Sequence, residues 1–228
     1  ISGLGPKKVA ALYQNLGIKT INQLRQACLD GKLRDLDGFG EITEQNILRG
    51  ISLMEKTSGR VLLNVAYDNG INYINYLKQC KKIDRLNLAG SLRRRRETIG
   101  DLDILASSDN PDEVMDYFVK YPYVQRVLMQ GSTKSSVILN DEIQVDLRVV
   151  KDDSYGAALQ YFTGSKEHNV KMRSIAIKQG FKLNEYGLFE KGTEKFIVGK
   201  AEKEIYEKLG LSYIEPELRE NRGEIEKA

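Results

Sequence analysis

The spacing of apolar residues changes near residue 85, and this change limits the possible folds more than any other feature of the sequence. Before that point, apolar residues recur at helical spacing, with Gly, Ser or Thr at the breaks. After it, short runs with the period of two that is typical of strands alternate with helical segments. We therefore predict an α+β chain, with a helical region over residues 1–85 followed by a mixed sheet that carries helices.

The first region is expected to contain four helices. Proline suits the first turn of a helix, so the first one should begin at Pro6. A second should follow a Thr20 cap, a third should cover residues 41–56, and a fourth should run from a Ser58 cap through Leu77. Together they would form a small helical module.

The second region carries the sheet. Strands are predicted over residues 86–89, 101–106, 125–130, 135–139 and 143–150. Helices are predicted over residues 111–120, 154–162 and 166–179, and short strands within 181–198. Asn140-Asp141 between two apolar runs indicates a hairpin. The predicted division is therefore a helical subdomain over 1–85, a sheet subdomain over 86–152 and a smaller α/β subdomain with a tail over 153–228.

The overall charge argues against a protein held to nucleic acid by bulk electrostatics. Thirty-five Lys and Arg residues against 32 Asp and Glu residues give a net charge of only +3. Contact with a polyanion must then be local, at Lys7-Lys8 or in the arginine run over residues 93–96. Residues 201–228 are net acidic and are not expected to face nucleic acid.

Membrane and secreted proteins are excluded. No apolar run approaches the roughly 20 residues that span a bilayer, and the N-terminus does not resemble a signal peptide. Cys28 and Cys80 make no disulfide framework and are expected to be packing residues, which favours the cytoplasm. The single histidine, His168, lacks any nucleophile or metal-ligand spacing and is expected at the surface or in a groove.

Paired carboxylates give the first chemical signal. Asp101 and Asp103 are two apart on a predicted strand, so both project from one face while Leu102 and Ile104 pack on the other. Two such carboxylates can hold a divalent cation such as Mg²⁺. Alone, this pattern is more often a solvated strand face.

Neighbouring residues strengthen the signal. Gly90-Ser91 ends a predicted strand where backbone N–H groups and a hydroxyl can bind an anion, and Arg94 lies one turn further on. Asp146 and Arg148 share one face of another predicted strand. Three carboxylates beside a phosphate site favour two-metal phosphoryl or nucleotidyl transfer, because without a cation their like charges would repel.

Residues 90–94 (GSLRR) and 97–103 (ETIGDLD) resemble the signature of the X-family DNA polymerases, the DNA polymerase beta group. Residues 161–165 (YFTGS), followed by Asn169 and Arg173, are similar to the nucleotide-binding segment of that family. Several motifs recur in order, and the resemblance covers nearly the whole chain. It implies a helix-hairpin-helix subdomain, a nucleotidyltransferase palm and a nucleotide-selecting subdomain, in the order of the three predicted parts.

The resemblance also implies residue roles. Asp101 and Asp103 would bind two Mg²⁺ ions, for which Mn²⁺ could substitute, and Asp146 would bind the ion that activates the primer 3′-hydroxyl. Arg148 would pair with a catalytic carboxylate as the site opens and closes. The implied nucleotide-binding residues are Gly90, Ser91, Arg94, Gly100, Tyr161, Phe162, Gly164 and Asn169, and Arg173 would contact the template strand.

The N-terminal residues resemble the hairpin and second helix of a helix-hairpin-helix element, whose first helix is expected to precede residue 1. Gly3 and Gly5 would let the backbone approach a DNA phosphate, and Lys7 and Lys8 would add attraction without reading bases. In the family, carbonyls at the positions of residues 1 and 4 face a monovalent cation. A second, weaker copy at residues 38–40 is equally consistent with an ordinary turn.

Some positions depart from the vertebrate members of the family. Lys166 and Val170 put base contacts in doubt, and Gln144 replaces a basic residue near the primer terminus. Arg95 and Arg96 replace small residues; for these two and Arg93, a solvated basic surface is as well supported as a functional role.

The expected function is template-directed, Mg²⁺-dependent addition of dNTPs to a primer 3′-hydroxyl in short gaps, as in base excision repair. The expected partners are gapped or primer-template DNA and dNTP, for a monomer associated with the nucleoid. We expect the sequence to be the core of a longer prokaryotic enzyme, without its lyase domain and with a PHP (polymerase and histidinol phosphatase) domain following. The alternatives are a template-independent nucleotidyltransferase acting on RNA ends or small molecules, and a catalytically silent DNA-binding module.

Overall fold

The chain divides into two units, unit 1 (Ile1–Gly59) and unit 2 (Arg60–Ala228). The computed structural model describes residues 4–36, 38–57 and 59–228. Within that part of the chain, no helix is long and apolar enough to cross a bilayer.

Unit 1 is helical, as predicted. Its helices are α1 (Pro6–Leu16), α2 (Ile21–Leu29) and α3 (Glu41–Thr57). Pro6 opens α1, and Gly17 ends it with a left-handed φ of 63°. Thr20 and Gln23 form a reciprocal capping box at the start of α2, which confirms the predicted cap. The side chains that form the core of unit 1 are Leu12, Leu24, Ala27, Cys28, Leu33, Phe39, Ile47 and Ile51.

Unit 2 contains the sheets. Its helices are α4 (Leu63–Leu77), α5 (Gly90–Arg93), α6 (Pro111–Phe118), α7 (Tyr155–Thr163), α8 (Lys166–Lys178) and α9 (Glu202–Lys208). Its strands are β1 (Val61–Leu62), β2 (Arg85–Leu88), β3 (Thr98–Ile99), β4 (Asp101–Ser107), β5 (Val124–Gln130), β6 (Lys134–Leu139), β7 (Gln144–Val150), β8 (Phe181–Asn184), β9 (Gly187–Glu190) and β10 (Phe196–Val198).

The main sheet has five strands in the order β2-β4-β7-β6-β5. Strands β4 and β7 are parallel, and the other neighbours are antiparallel, which confirms the predicted mixed sheet. The predicted hairpin at Asn140-Asp141 joins β6 to β7. Leu102 and Ile104 of β4 pack with α4 and α6 on one face, while Leu105 packs with α7 on the other. The sheet therefore lies between two layers of helices.

The fourth helix starts later than predicted. It begins at Leu63, because Val61 and Leu62 pair with Ile99 and Thr98 as a short antiparallel ladder. Ser58, the predicted cap, lies outside the described residues. Helix α4 packs in the same core as the main sheet, so the division between the units falls at Gly59. The boundaries at 85 and 152 remain a proposal about functional subdomains.

The end of the chain packs on α8 and α9, and we call residues 213–228 the C-terminal segment. Its Arg219 is fully buried and donates to Glu202 (2.7 Å) and to the backbone oxygen of Ile214 (2.9 Å). The guanidinium also lies 5.2 Å from the ring centroids of both Tyr206 and Tyr213. A buried charge needs such partners, so Arg219 fixes the C-terminal segment on unit 2.

His168 is not at the surface or in a groove, and that prediction was wrong. The imidazole is fully buried, with Nδ1 2.8 Å from Glu224 Oε1 and Nε2 3.0 Å from the Tyr206 hydroxyl. Glu224 belongs to the C-terminal segment, which covers α8 through contacts between residues far apart in sequence. Cys28 and Cys80 are buried as predicted.

We expect the buried His168 to make the protein less stable as pH falls. Burial lowers its pKa below the ordinary value of 6.5, and the Arg219 and Arg94 charges act in the same direction against the opposing effect of Glu224. The unfolded chain then binds a proton more readily, so stability falls as pH drops below about 6.5. Denaturant unfolding between pH 5 and pH 8 should show a shallower pH dependence for His168→Gln, whereas an unchanged slope would contradict this assignment.

Candidate active site

Two of the predicted catalytic carboxylates are direct neighbours across parallel strands. Asp103 of β4 pairs in register with Asp146 of β7, and Asp101 pairs with Gln144. Neighbouring strands lie about 4.8 Å apart, so Asp103 and Asp146 share one face of the sheet. Leu102 and the other intervening side chains are buried on the opposite face.

These carboxylates repel one another. Burial, followed by the charges of Asp101 and Asp146, raises the pKa of Asp103 to about 7. Burial and the Asp146 charge also raise the pKa of Asp101, against the opposing charge of Arg60. A site that crowds acids in this way has the donors and the charge to accept a divalent cation.

The Asp146 carboxylate is bound by two neighbouring side chains, Lys134 and Gln144. Lys134 was not identified from the sequence, and Gln144 was assigned a different role. Lys134 Nζ lies 3.0 Å from Oδ2, and the Gln144 amide donates to Oδ1 at 2.8 Å. Burial opposes ionisation of Asp146, but hydrogen bonds from Gln144, Lys134 and Ser136 keep its pKa below the usual value. Among the described residues, no three His, Cys, Asp or Glu side chains gather as a metal cluster. A cation bound between Asp103 and Asp146 would compete with Lys134 for Asp146 Oδ2.

Gly90 lets the chain pass directly over Asp103. It has a φ of 60°, and a Cβ placed there would lie 2.0 Å from Asp103 Oδ2. The adjacent Ala89 N–H donates to the Asp103 carbonyl at 2.8 Å. Any side chain at position 90 would displace the carboxylate, so the glycine is required by the site itself.

A cavity of about 500 Å³ opens beside Asp101 and Asp103. Its lining contains the following predicted residues: Gly90, Ser91, Arg94, Asp101, Asp103, Tyr161, Phe162, Gly164, Asn169 and Arg173. Arg60, Arg96, Thr163 and Lys166 complete the lining. Five cationic side chains thus surround two carboxylates, an arrangement suited to a metal-bound polyphosphate.

Gly100, Asp146 and Arg148 do not line this cavity. A Cβ at Gly100 would lie 3.0 Å from Arg60 Nη1, so this glycine gives Arg60 room. The Arg148 guanidinium lies over the Phe162 ring, 4.4 Å from its centroid. Its charge partly opposes the rise in the pKa of Asp103. Its predicted ion pair with a catalytic carboxylate stays a prediction.

Arg60 is a cavity residue that sequence reasoning did not identify. Its Nε donates to the Thr98 hydroxyl at 3.0 Å, and its Nη2 donates to the Thr98 carbonyl. Arg60 directly precedes β1, and Thr98 begins β3, 38 positions later in the chain. No local motif marks Arg60, because the antiparallel pairing of β1 and β3 brings it to the cavity.

The arginine run has mixed roles. Arg93 is largely buried and makes a two-pronged ion pair with Glu202, so its interpretation as a solvated surface was wrong. Arg95 is 60% exposed beside Glu217, and Arg96 is 45% exposed. Arg94 Nε lies 2.9 Å from Glu220, and its Nη1 donates to the Thr163 carbonyl.

Asn169 is fixed by its neighbours at the cavity wall. Its Oδ1 accepts from the Gln160 amide at 2.8 Å, and its Nδ2 donates to the Tyr161 carbonyl at 2.7 Å. The Asn169 amide carries a second N–H, which is available to a ligand in the cavity. Asn169 therefore also fixes the backbone of Tyr161.

The predicted hairpin residues of unit 1 are partly described. Gly5 precedes α1 with open space where a Cβ would stand. Lys7 is exposed, and Lys8 Nζ lies 5.2 Å from the centroid of Phe39, within the suspected second hairpin copy. Gly3 and residue 1, with its carbonyl, lie outside the described residues.

Comparison with known proteins finds two family models in this chain. A model described as DNA polymerase beta thumb matches residues 158–220, and one described as SAM-like helix-hairpin-helix tandem matches residues 1–52. The DNA polymerase/3′-5′ exonuclease PolX of Bacillus subtilis (strain 168) is 38% identical over 228 residues, 99% of this chain and 40% of that protein. DNA polymerase lambda of Rattus norvegicus is 27% identical over 161 residues, 58% of this chain and 28% of that protein. The chain therefore spans less than half the length of these relatives.

Solved structures of Leishmania infantum polymerase beta share the fold. Its ternary P/T complex gives a TM-score of 0.64 at 24% identity, covering 96% of this chain and 95% of that one. Its ternary gap complex gives 0.64 at 23% identity, covering 96% and 86%. These matches confirm the predicted α+β class with its helix-hairpin-helix N-terminus. With two family models and a relative aligned along the whole sequence, the chain belongs to the X family of DNA polymerases.

Proposed function

We propose that this chain adds dNTPs to a primer 3′-hydroxyl in short DNA gaps, under the direction of a template. The observation that supports this most is the placement of Asp101 and Asp103 at a cavity with five cationic side chains, with Asp146 in register beside them. In-line attack on a phosphate needs cations on the nucleophile and leaving group, and donors on the remaining oxygens. The carboxylates of this chain would bind the cations, and its cavity supplies the donors.

Polymerases of this family depend on divalent cations, and the carboxylates fit that need. Asp101 and Asp103 would hold two Mg²⁺ ions, or Mn²⁺ in their place, and Asp146 would share the ion nearer the primer. The raised pKa values of Asp101 and Asp103 support this assignment, because crowded acids gain stability when a cation neutralises them. The bound ions would lower the pKa of the attacking hydroxyl and neutralise the leaving pyrophosphate.

The cationic wall would bind the triphosphate. Ser91 offers a hydroxyl, and Arg94 and Arg60 offer planar guanidinium groups that match phosphate geometry. Gly100 leaves room for Arg60, and Gly164 leaves room for Arg94. These groups would hold the β- and γ-phosphates and leave the α-phosphate facing the carboxylates.

The opposite wall would receive the sugar and base. Tyr161 and Phe162 line the cavity with their rings 5.1 Å apart in an edge-on arrangement. Asn169 holds the Tyr161 carbonyl, which would keep the backbone close to the sugar and disfavour a ribose 2′-hydroxyl. The remaining N–H of the Asn169 amide would contact the minor-groove edge of the new base, and Arg173 the template strand.

Unit 1 would contact the DNA backbone. The hairpin predicted from Gly3 and Gly5, with Lys7 and Lys8, would offer N–H groups and positive charge to phosphates without reading bases. The Leishmania relative was solved as a ternary gap complex, and gapped or primer-template DNA is the partner proposed for this chain. A monovalent cation at the hairpin carbonyls and a nucleoid location in the cytoplasm are proposed with it.

Primer extension tests the function directly. With Mg²⁺ and all four dNTPs, the protein should extend a primer in one-nucleotide-gapped DNA by the complementary nucleotide. The same primer without its template strand separates the leading proposal from a template-independent transferase. Equal extension without template would refute template direction, whereas tight dNTP binding without extension would indicate a silent DNA-binding module.

Arg60→Ala should weaken nucleotide binding more than it slows chemistry. Removing one cavity cation takes away attraction present in both ground and transition states, so KM for dNTP should rise about tenfold with kcat changed less than about threefold. Steady-state single-nucleotide insertion measures both constants. Lys182→Ala removes an exposed cation that pairs with Glu194 outside the cavity, and it should leave KM unchanged. A normal KM for Arg60→Ala would remove Arg60 from the triphosphate site.

A further inference from the structure

An acidic side chain of the C-terminal segment pairs with two arginines of the cationic wall. Glu220 Oε1 lies 2.9 Å from Arg94 Nε and 3.7 Å from Arg96 Nη1. Both arginines line the cavity. The Arg94 and Glu220 side chains are only 13% and 19% exposed, so water screens this ion pair weakly. The protein thus supplies its own anion to two of the arginines that would bind phosphate.

Glu220 is held in place by the residues on both sides of it. Before it, the Ser165 N–H donates to the carbonyl of Arg219, whose guanidinium is buried against Glu202. After it, Glu224 binds His168 at 2.8 Å and accepts from the Asn221 N–H at 2.8 Å. The backbone of the segment is therefore fixed at two points, one on each side of Glu220, so the exchange proposed below needs a rotation of this side chain and no movement of the segment.

Arg94 would stay at the cavity when Glu220 leaves. Its Nη1 donates to the Thr163 carbonyl, which holds the guanidinium independently of Glu220. The neighbouring pair differs, because Glu202 is bound by both Arg93 and Arg219 and is 7% exposed. Neither Arg93 nor Glu202 lines the cavity, so that pair supports the fold, whereas Arg94 itself lines the cavity.

We propose that Glu220 is an internal competitor for phosphate: it pairs with Arg94 in the nucleotide-free protein, gives way to the incoming triphosphate, and pairs again as pyrophosphate leaves. This inference rests on the proposed function, which makes the cavity a nucleotide site. No bond is made or broken in the exchange; one charge-assisted ion pair replaces another. The competitor weakens binding of every ligand that uses Arg94, and it therefore favours release of the product pyrophosphate.

Calorimetric titration with inorganic tripolyphosphate and with pyrophosphate, each in Mg²⁺, tests the competition. Glu220→Gln keeps the size of the side chain and removes its charge, so both ligands should bind about five- to tenfold more tightly. Glu217→Gln is the matched control, since it removes one acidic charge from the same segment, at an exposed pair with Arg95 outside the cavity. It should bind both ligands as the wild type does.

Glu220→Ala provides a second test, because it leaves no group at position 220 that can accept from Arg94. Tighter binding in both Glu220 variants, with stronger product inhibition by pyrophosphate during primer extension, would support the competition. Binding by the Glu220 variants that equals that of Glu217→Gln would overturn the proposed competition. Weaker binding would also overturn it, and would mean that Glu220 only positions Arg94. Template-directed extension by the wild-type protein tests the proposed function separately. That function would stand even if the binding experiments overturned the competition.

Discussion

Asp103→Asn is expected to abolish nucleotide addition and, at the same time, to stabilise the metal-free protein. The carboxylate lies beside Asp101 and Asp146, and its pKa is raised to about 7 by burial and by their charges. Losing this cation ligand should slow single-nucleotide insertion by roughly 10³-fold or more. Losing its buried charge should raise Tm at pH 8 without divalent ions by roughly 3–6 °C, for about 1–2 kcal/mol of relieved repulsion.

The pH dependence gives this prediction a direction. An acid whose pKa is higher in the folded protein destabilises it increasingly as pH rises from about 4 to about 7. The stability gain of Asp103→Asn should therefore shrink at pH 5, where the wild-type side chain is largely protonated. Mg²⁺ should raise Tm of the wild type at pH 8 and leave that of the variant nearly unchanged.

Asp109→Asn is the matched control for Asp103→Asn. It removes the same charge just beyond the end of β4, where the side chain is exposed. Its insertion rate and its response to Mg²⁺ should match those of the wild type. A catalytically competent Asp103→Asn protein, or one less stable than the wild type at pH 8, would show that the three acids do not form the catalytic centre.

Gly90→Ala should cost about 100-fold in insertion rate. The new Cβ would lie 2.0 Å from Asp103 Oδ2, far inside contact distance, so either the carboxylate or the turn must move. A displacement of about 1 Å in a catalytic group can by itself cost about 10²-fold. The left-handed φ of 60° adds strain of about 1–2 kcal/mol, which should lower Tm as well.

Gly180→Ala separates these two effects. Gly180 has a φ of 80°, and nothing lies within 4 Å of the point where a Cβ would stand, so alanine there is strained without meeting a neighbour. It should lower Tm to a similar degree and leave insertion kinetics unchanged. If Gly90→Ala lost only stability, with normal kcat and KM, the contact between the turn and Asp103 would have no role in catalysis.

Local patterns predicted much of the fold. Alternating burial along β7 and at the start of β4 follows from the period of two in their sequences, and the reciprocal cap at Thr20 follows from the residue type and its spacing to Gln23. The register of the β6–β7 hairpin could also have been predicted from the sequence. A turn centred on Asp141 sets Ser136 opposite Asp146 and Lys134 opposite Arg148, on the same face. This register would have identified Lys134 as a neighbour of Asp146.

The wrong predictions share a physical cause: the decisive partner is far away in sequence. From the sequence alone, Arg93 could be a surface residue. In the structure it is bound by Glu202, which lies 109 positions later in the chain. The His168 imidazole is bound by residues 38 and 56 positions later, Tyr206 of α9 and Glu224 of the C-terminal segment. Arg60 reaches the cavity through the β1–β3 ladder. Such contacts depend on tertiary packing, which the periodicity of one segment does not encode.

The anchoring of Arg219 and Glu224 has a consequence for biosynthesis. Helix α8 and Glu202 acquire their buried partners from residues 213–228, which are synthesised after both of them. Unit 1 has a core of its own and can form while translation continues, since domains commonly fold in the order they emerge. The cavity beside Asp101 and Asp103, by contrast, can be completed only after residues 213–228 have been synthesised and Glu220 has reached Arg94. A nascent chain would therefore be able to fold unit 1 before it could complete this cavity.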